Sequence, residues 1–232
     1  MSGEDALLRP VWRSVFRNSL VLNCVLFVLF VVLRVYGLVG PVPAPFVLLA
    51  GFLVMSFAPF VFFSRTGRRE MGLETGWNGA YALYALLLGL VVATLTLALL
   101  NVFLAFSFFH FLFAISPERP LFGEVVAFML LLSLAKAVGE EFFFRGMLHT
   151  SIRESRGKLT ATVLNALAFG VLYVPNSELS TVRLPLVLWW VAIVIGLGLI
   201  FTLVREKMKS IWPAFLAHLS YNLTVSAMLL LY

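Results

Sequence analysis

Seven stretches of this chain are long and apolar enough to be read as membrane helices, and this constrains its fold more than anything else. Crossing the hydrocarbon core takes about 20 mostly apolar residues in a helix. Runs of that kind stand at 20–38, 45–63, 80–115, 124–148, 160–174, 184–204 and 211–232. Composition agrees: 62% of the 232 residues are hydrophobic and 12% are charged, against about 45–50% and about 25% in soluble domains. In water such a chain would expose large apolar patches, which excludes a soluble enzyme, a secreted disulfide scaffold and a disordered tail. The single cysteine, Cys24, has no partner for an internal disulfide. The expected fold is all-α, a polytopic transmembrane helical bundle forming one integral membrane domain over residues 1–232.

The run 80–115 is too long for one perpendicular crossing, since 36 residues at about 1.5 Å each give about 54 Å. It makes either two crossings or one crossing and an interfacial piece. With one crossing and a cytoplasmic N-terminus, Arg9, Arg13, Arg17, Arg65, Arg68, Arg69, Arg153, Arg156, Lys158, Arg205, Lys207 and Lys209 all face the cytoplasm. That is 12 of the 17 basic residues, as the positive-inside bias requires. Two crossings would put the last two basic clusters outside. The expectation is therefore seven spans in the plasma (inner) membrane with the N-terminus inside, and eight stays open because Asn101 and His110 could mark a break. The net charge of +6 is then a topology signal. Basic residues spread over separate loops form no compact nucleic-acid footprint, so no nucleic-acid partner is expected.

Ionisable residues inside these runs are the functional candidates, because a charge near the bilayer centre costs at least about 2.5–3.5 kcal/mol on insertion scales. The run 124–148 carries Lys136, Glu140, Glu141 and Arg145, and the last run carries His218 and Asn222. On an α-helix Glu141 and Arg145 are one turn apart in an order that suits an ion pair. Glu140 is turned away from them and could meet Lys136. An Arg–Glu staple of a buried helix would explain one carboxylate but not two. His218 and Asn222 also share a face and can donate two hydrogen bonds to one developing oxyanion, although interhelical hydrogen bonding is the commoner use of such a pair.

Taken together, these residues resemble the CAAX-protease and bacteriocin-processing family of intramembrane proteases, which includes the type 2 CAAX prenyl endopeptidases. The resemblance covers 124–232. Its first motif is Glu140-Glu141-Phe-Phe-Phe-Arg145-Gly146, and its third is His218-Leu-Ser-Tyr-Asn222 after a Trp212-Pro213 lead-in. The second motif, Phe-xxx-His, reads Phe169-Gly170-Val-Leu-Tyr173, with Tyr in place of His. The resemblance implies an endopeptidase acting on a membrane-tethered peptide or lipidated protein. In it Glu140 activates water, Glu141 and Arg145 support Glu140, and His218 with Asn222 forms the oxyanion hole. Tyr173 inherits the missing histidine's place without its chemistry. A phenol with an ordinary pKa near 10 holds water or Glu140 by a hydrogen bond and takes no proton at pH 7.

One histidine with carboxylates is also a poor zinc set, so a glutamate-dependent site with no metal or cofactor is expected. His149 is a conceivable substitute base, but it lies nine residues from Glu140, about 180° around the helix and about 13 Å along it. Glu140 and Tyr173 stand roughly 15 and 18 residues from a turn near 154–156, level to within about 6 Å. Catalysis requires Glu140, Tyr173, His218 and Asn222 to converge around a space that admits water. The alternatives are a catalytically weak or inactive scaffold of the same fold that binds membrane partners, and a small transporter. The transporter lacks the internal repeat many such folds show. No residue pattern specifies the substrate sequence or the oligomeric state.

Overall fold

A computed structural model describes residues 7–16, 18–42, 44–76, 78–104, 122–174 and 184–231. Every element among them is helical: α1 Pro10–Arg13, α2 Ser19–Val39, α3 Ala44–Phe62, α4 Arg65–Glu70, α5 Gly79–Leu104, α6 Phe122–Glu140, a π-helix π1 Glu141–Leu148, α7 His149–Arg156, α8 Lys158–Leu172, α9 Leu184–Met208 and α10 Ile211–Leu231. The one sheet-like feature among these residues is a single antiparallel bridge between Leu8 and Phe63. It holds the N-terminal segment against the end of α3.

Local chemistry sets the helix ends. The Asn18 side chain accepts a hydrogen bond from the Val21 N–H at 2.9 Å and opens α2. Ser64 does the same for α4 through the Gly67 N–H at 3.0 Å, satisfying donors that a helix start leaves bare. α6, π1 and α7 follow one another without a loop from Phe122 to Arg156. The chain then reverses at Gly157, whose φ of +84° is one that residues with a Cβ rarely adopt.

By length and composition four helices are able to cross a membrane: Ser19–Gly37, Ala44–Phe62, Gly79–Leu99 and Val187–Met208. Among the described residues these four do not confirm the expected seven or eight. α8 has 15 residues, about 22 Å of rise against a core of about 30 Å, and α6 and α10 hold the polar side chains of the site. α5 runs unbroken through Asn101. His110, and the part of the third run that would make a second crossing, lie outside the described residues.

α10 packs against α5, α6 and α9, while α6 lies on α3 and α8 on α9. Two of these crossings depend on glycine. A Cβ at Gly89 of α5 would overlap the Ala217 carbonyl of α10, and one at Gly139 of α6 would overlap the Phe52 carbonyl of α3. Small residues let membrane helices approach backbone to backbone. Inside, Phe143, Phe144, Phe169 and Phe201 form a buried aromatic core. Outside, Val28, Leu95 and Leu203 are exposed, as on a surface that meets lipid.

Candidate active site

The first motif lies at the junction of α6 and π1. In a π-helix the hydrogen bonds run from i to i+5, widening the turn, and such segments occur mostly at functional sites. All eight residues of π1 are buried. Within it Arg145 Nη1 lies 3.0 Å from Glu141 Oε1, and both side chains are wholly out of solvent. The guanidinium also donates to the Gly198 carbonyl at 3.3 Å and is held over the rings of Phe169 and Phe201, 4.3 and 5.4 Å from their centroids. The ion pair, the carbonyl and the ring faces offset part of the cost of burying this cation.

His218 reaches the same place from α10. Its Nδ1 is 2.7 Å from Glu141 Oε1 and its Nε2 is 3.6 Å from Glu140 Oε2. The ring stacks on Phe201, with centroids 4.9 Å apart and planes at 19°. The imidazole therefore stands between two carboxylates, each facing a different nitrogen.

This corrects the α-helical expectation for Glu140. It makes no ion pair with Lys136 and is held by Tyr173. Lys136 Nζ lies instead over the Tyr173 ring, 5.2 Å from its centroid. A flat ring with a nitrogen on either side reaches carboxylates that diverge from neighbouring positions, and the wider turn begins at the second of them.

Tyr173, at the end of α8, donates its hydroxyl to both oxygens of Glu140, at 2.7 and 2.9 Å. The two residues are level, as their distances from the turn predict. Asn222 is one turn beyond His218, but its amide donates to the Ser133 carbonyl of α6 at 3.4 Å. The structure thus brings together Glu140, Glu141, Arg145, Tyr173 and His218, and places Asn222 beside them on another partner. His149 lies elsewhere, with Nδ1 3.7 Å from Glu206.

Two contributors lie outside the motifs. Arg34, from α2, lies over the Tyr173 ring at 4.3 Å, and its signal was a lone cation inside an apolar run. Phe201 walls the site together with the second-motif Phe169, and nothing distinguishes Phe201 among 23 phenylalanines. Among the described residues no group of three or more His, Cys, Asp or Glu side chains is arranged to hold a metal ion.

Residues 122–224 match the family model described as type II CAAX prenyl endopeptidase Rce1-like. All six motif side chains fall inside that segment, and Arg34 falls outside it. With four helices able to cross a bilayer and a match to a membrane endopeptidase family, the chain is a multi-pass integral membrane protein. No curated protein and no solved structure matches it.

Proposed function

We propose that this chain, which carries a type II CAAX prenyl endopeptidase-like segment at 122–224, is a glutamate-type intramembrane endopeptidase. Its substrate is a membrane-tethered peptide or lipidated protein. Following the basic loops, it sits in the plasma membrane with its N-terminus in the cytoplasm. The observation that carries this is the His218 ring set between the buried carboxylates of Glu140 and Glu141. A structural staple needs only Glu141 and Arg145, and leaves Glu140 without a purpose.

In the proposed reaction Glu140 takes a proton from water, and the water oxygen attacks the scissile carbonyl carbon. The tetrahedral oxyanion is met by His218 Nε2–H and by the Asn222 amide once that amide leaves the Ser133 carbonyl. Collapse breaks the C–N bond, and Glu140 returns its proton to the leaving amine. Glu141, fixed by Arg145, holds Nδ1 and so orients the ring, much as a buried carboxylate orients a catalytic histidine.

The test is hydrolysis, in liposomes, of a fluorogenic peptide bearing a farnesylated cysteine three residues from its C-terminus. The native chain should retain its activity in strong chelator, and Glu140→Ala is expected to lower the rate by about 10²–10⁴-fold, the usual weight of a general base, with normal expression. An unchanged rate in that variant would sink the proposal.

One observation favours the scaffold instead, namely that the Tyr173 hydroxyl covers both oxygens of the base. In that case Glu140→Gln leaves the cellular phenotype intact and Tyr173→His confers no cleavage.

A further inference from the structure

The helices α2, α7 and α8 leave a groove of about 600 Å³ between them. α8 lines it with Thr160, Leu164 and Ala168, spaced four residues apart on one face. Thr160 to Ala168 spans eight residues, about 12 Å. Phe27 of α2 and Leu148 at the end of π1 border the groove beside Ala168, and Arg156, the last residue of α7, stands at the opposite end with Thr160. Polarity is therefore graded along the groove, from a cation and a hydroxyl at the mouth to hydrocarbon and aromatic walls within.

A groove of about 600 Å³ running about 12 Å along α8 has room for a hydrocarbon chain.

Charge then chooses the head group. Arg153 is paired with Glu70 at 3.1 Å and Lys158 with Glu206 at 3.0 Å. Arg156 is exposed, and no carboxylate lies within 4 Å of it among the described residues. A cation without a counter-charge at the mouth of an apolar slot complements an anionic amphiphile, and basic pockets between membrane helices are known lipid head-group sites.

We propose that the groove between α2, α7 and α8 is a resident site for an anionic glycerophospholipid, with one acyl chain along Leu164 and Ala168 and the phosphate at Arg156 and Thr160. This site is separate from the endopeptidase reading and stands or falls without it. The groove is backed by aromatic contacts: Phe27 meets Phe144 edge-on, with centroids 6.4 Å apart, and Phe144 meets Phe169 at 5.1 Å.

Native mass spectrometry of the full chain, released from detergent after incubation with equimolar phosphatidylglycerol and phosphatidylcholine, tests this directly. One phosphatidylglycerol per chain should be retained in preference to phosphatidylcholine by about fivefold, the weight of one basic side chain at an anionic surface. Arg156→Glu, at an exposed helix end, should erase that preference. Ala168→Phe should lower retention of both lipids. Arg65→Glu, a distant exposed cation paired with Glu74, should change neither. Equal retention of the two lipids by the native chain, or a preference that survives Arg156→Glu, overturns the proposal. Displacement of phosphatidylglycerol one-for-one by the farnesylated peptide would also overturn it, by giving the groove to the substrate.

Discussion

Without its guanidinium partner, the Glu141 carboxylate would lie in a site wholly out of water with only the His218 ring beside it. Breaking one half of a buried ion pair costs about 3–5 kcal/mol, so Arg145→Met should lower unfolding stability in detergent by that order. The double variant Glu141→Gln with Arg145→Met should recover part of the loss. Tyr173 invites the opposite kind of change. Restoring histidine there supplies a nitrogen base where a phenol now donates to Glu140, and cleavage of the farnesylated peptide should rise by about tenfold or more, within the range of a general base. Glu140, Glu141, Arg145 and His218 were legible because ionisable groups stand out in apolar runs. Arg34 stood out equally, but no motif tied it to Tyr173, and its place above that ring is a product of tertiary packing.

At the level of elements, the closest helix approaches are the most sensitive. Gly139 lies against the Phe52 carbonyl, with no room for a Cβ. Overpacking a tight contact typically costs about 1–3 kcal/mol, so Gly139→Ala should lower the thermal midpoint in detergent. Because Gly139 precedes Glu140, it should lower peptide cleavage by more than the lost folded fraction explains. Gly51, with open space around its Cβ position, is the control. Helix positions were largely legible, since 20-residue apolar runs have few other solutions in a bilayer. The π-helix was not. Glu-Glu-xxx-Arg brings its ends together on an ordinary α turn too, so the spacing does not report which helix carries it. The crossing count is not confirmed for a related reason: segments such as α8 are apolar but short for a span.

Across the whole molecule, an ionic network joins α4, α7, α8 and α9 at one end of the bundle. Arg153 bridges Glu70 and Glu206, Lys158 also meets Glu206, and Arg205 is bonded to Glu206 and to the Glu70 carbonyl. His149 is buried among these groups. Burial, and then the nearby Arg205, push its pKa down to about 3. In the unfolded chain it returns to about 6.5. A folded pKa below the unfolded one gives stability that is complete above about pH 6.5 and is lost as pH falls toward 3. The thermal midpoint in detergent should therefore be flat above pH 7 and decline between pH 6.5 and 5. His149→Gln should flatten that decline, whereas an equal slope in the variant would assign it to other groups. None of this network was legible, because charges from four separate stretches of sequence meet only in the folded chain.

The π-helix has a consequence for how this chain could change over time. Each of its i to i+5 rings encloses one residue more than an α-helical ring. Deleting one of Phe142, Phe143 or Phe144 would let the segment relax into a uniform α-helix. Composition, charge and apolar length would barely move, and the product would still be an integral membrane protein by every bulk measure. The facing of Glu141 and Arg145 on His218 would be gone. Loss of the site by a single deletion would thus be silent in composition and visible only in the count of residues between Glu141 and Arg145.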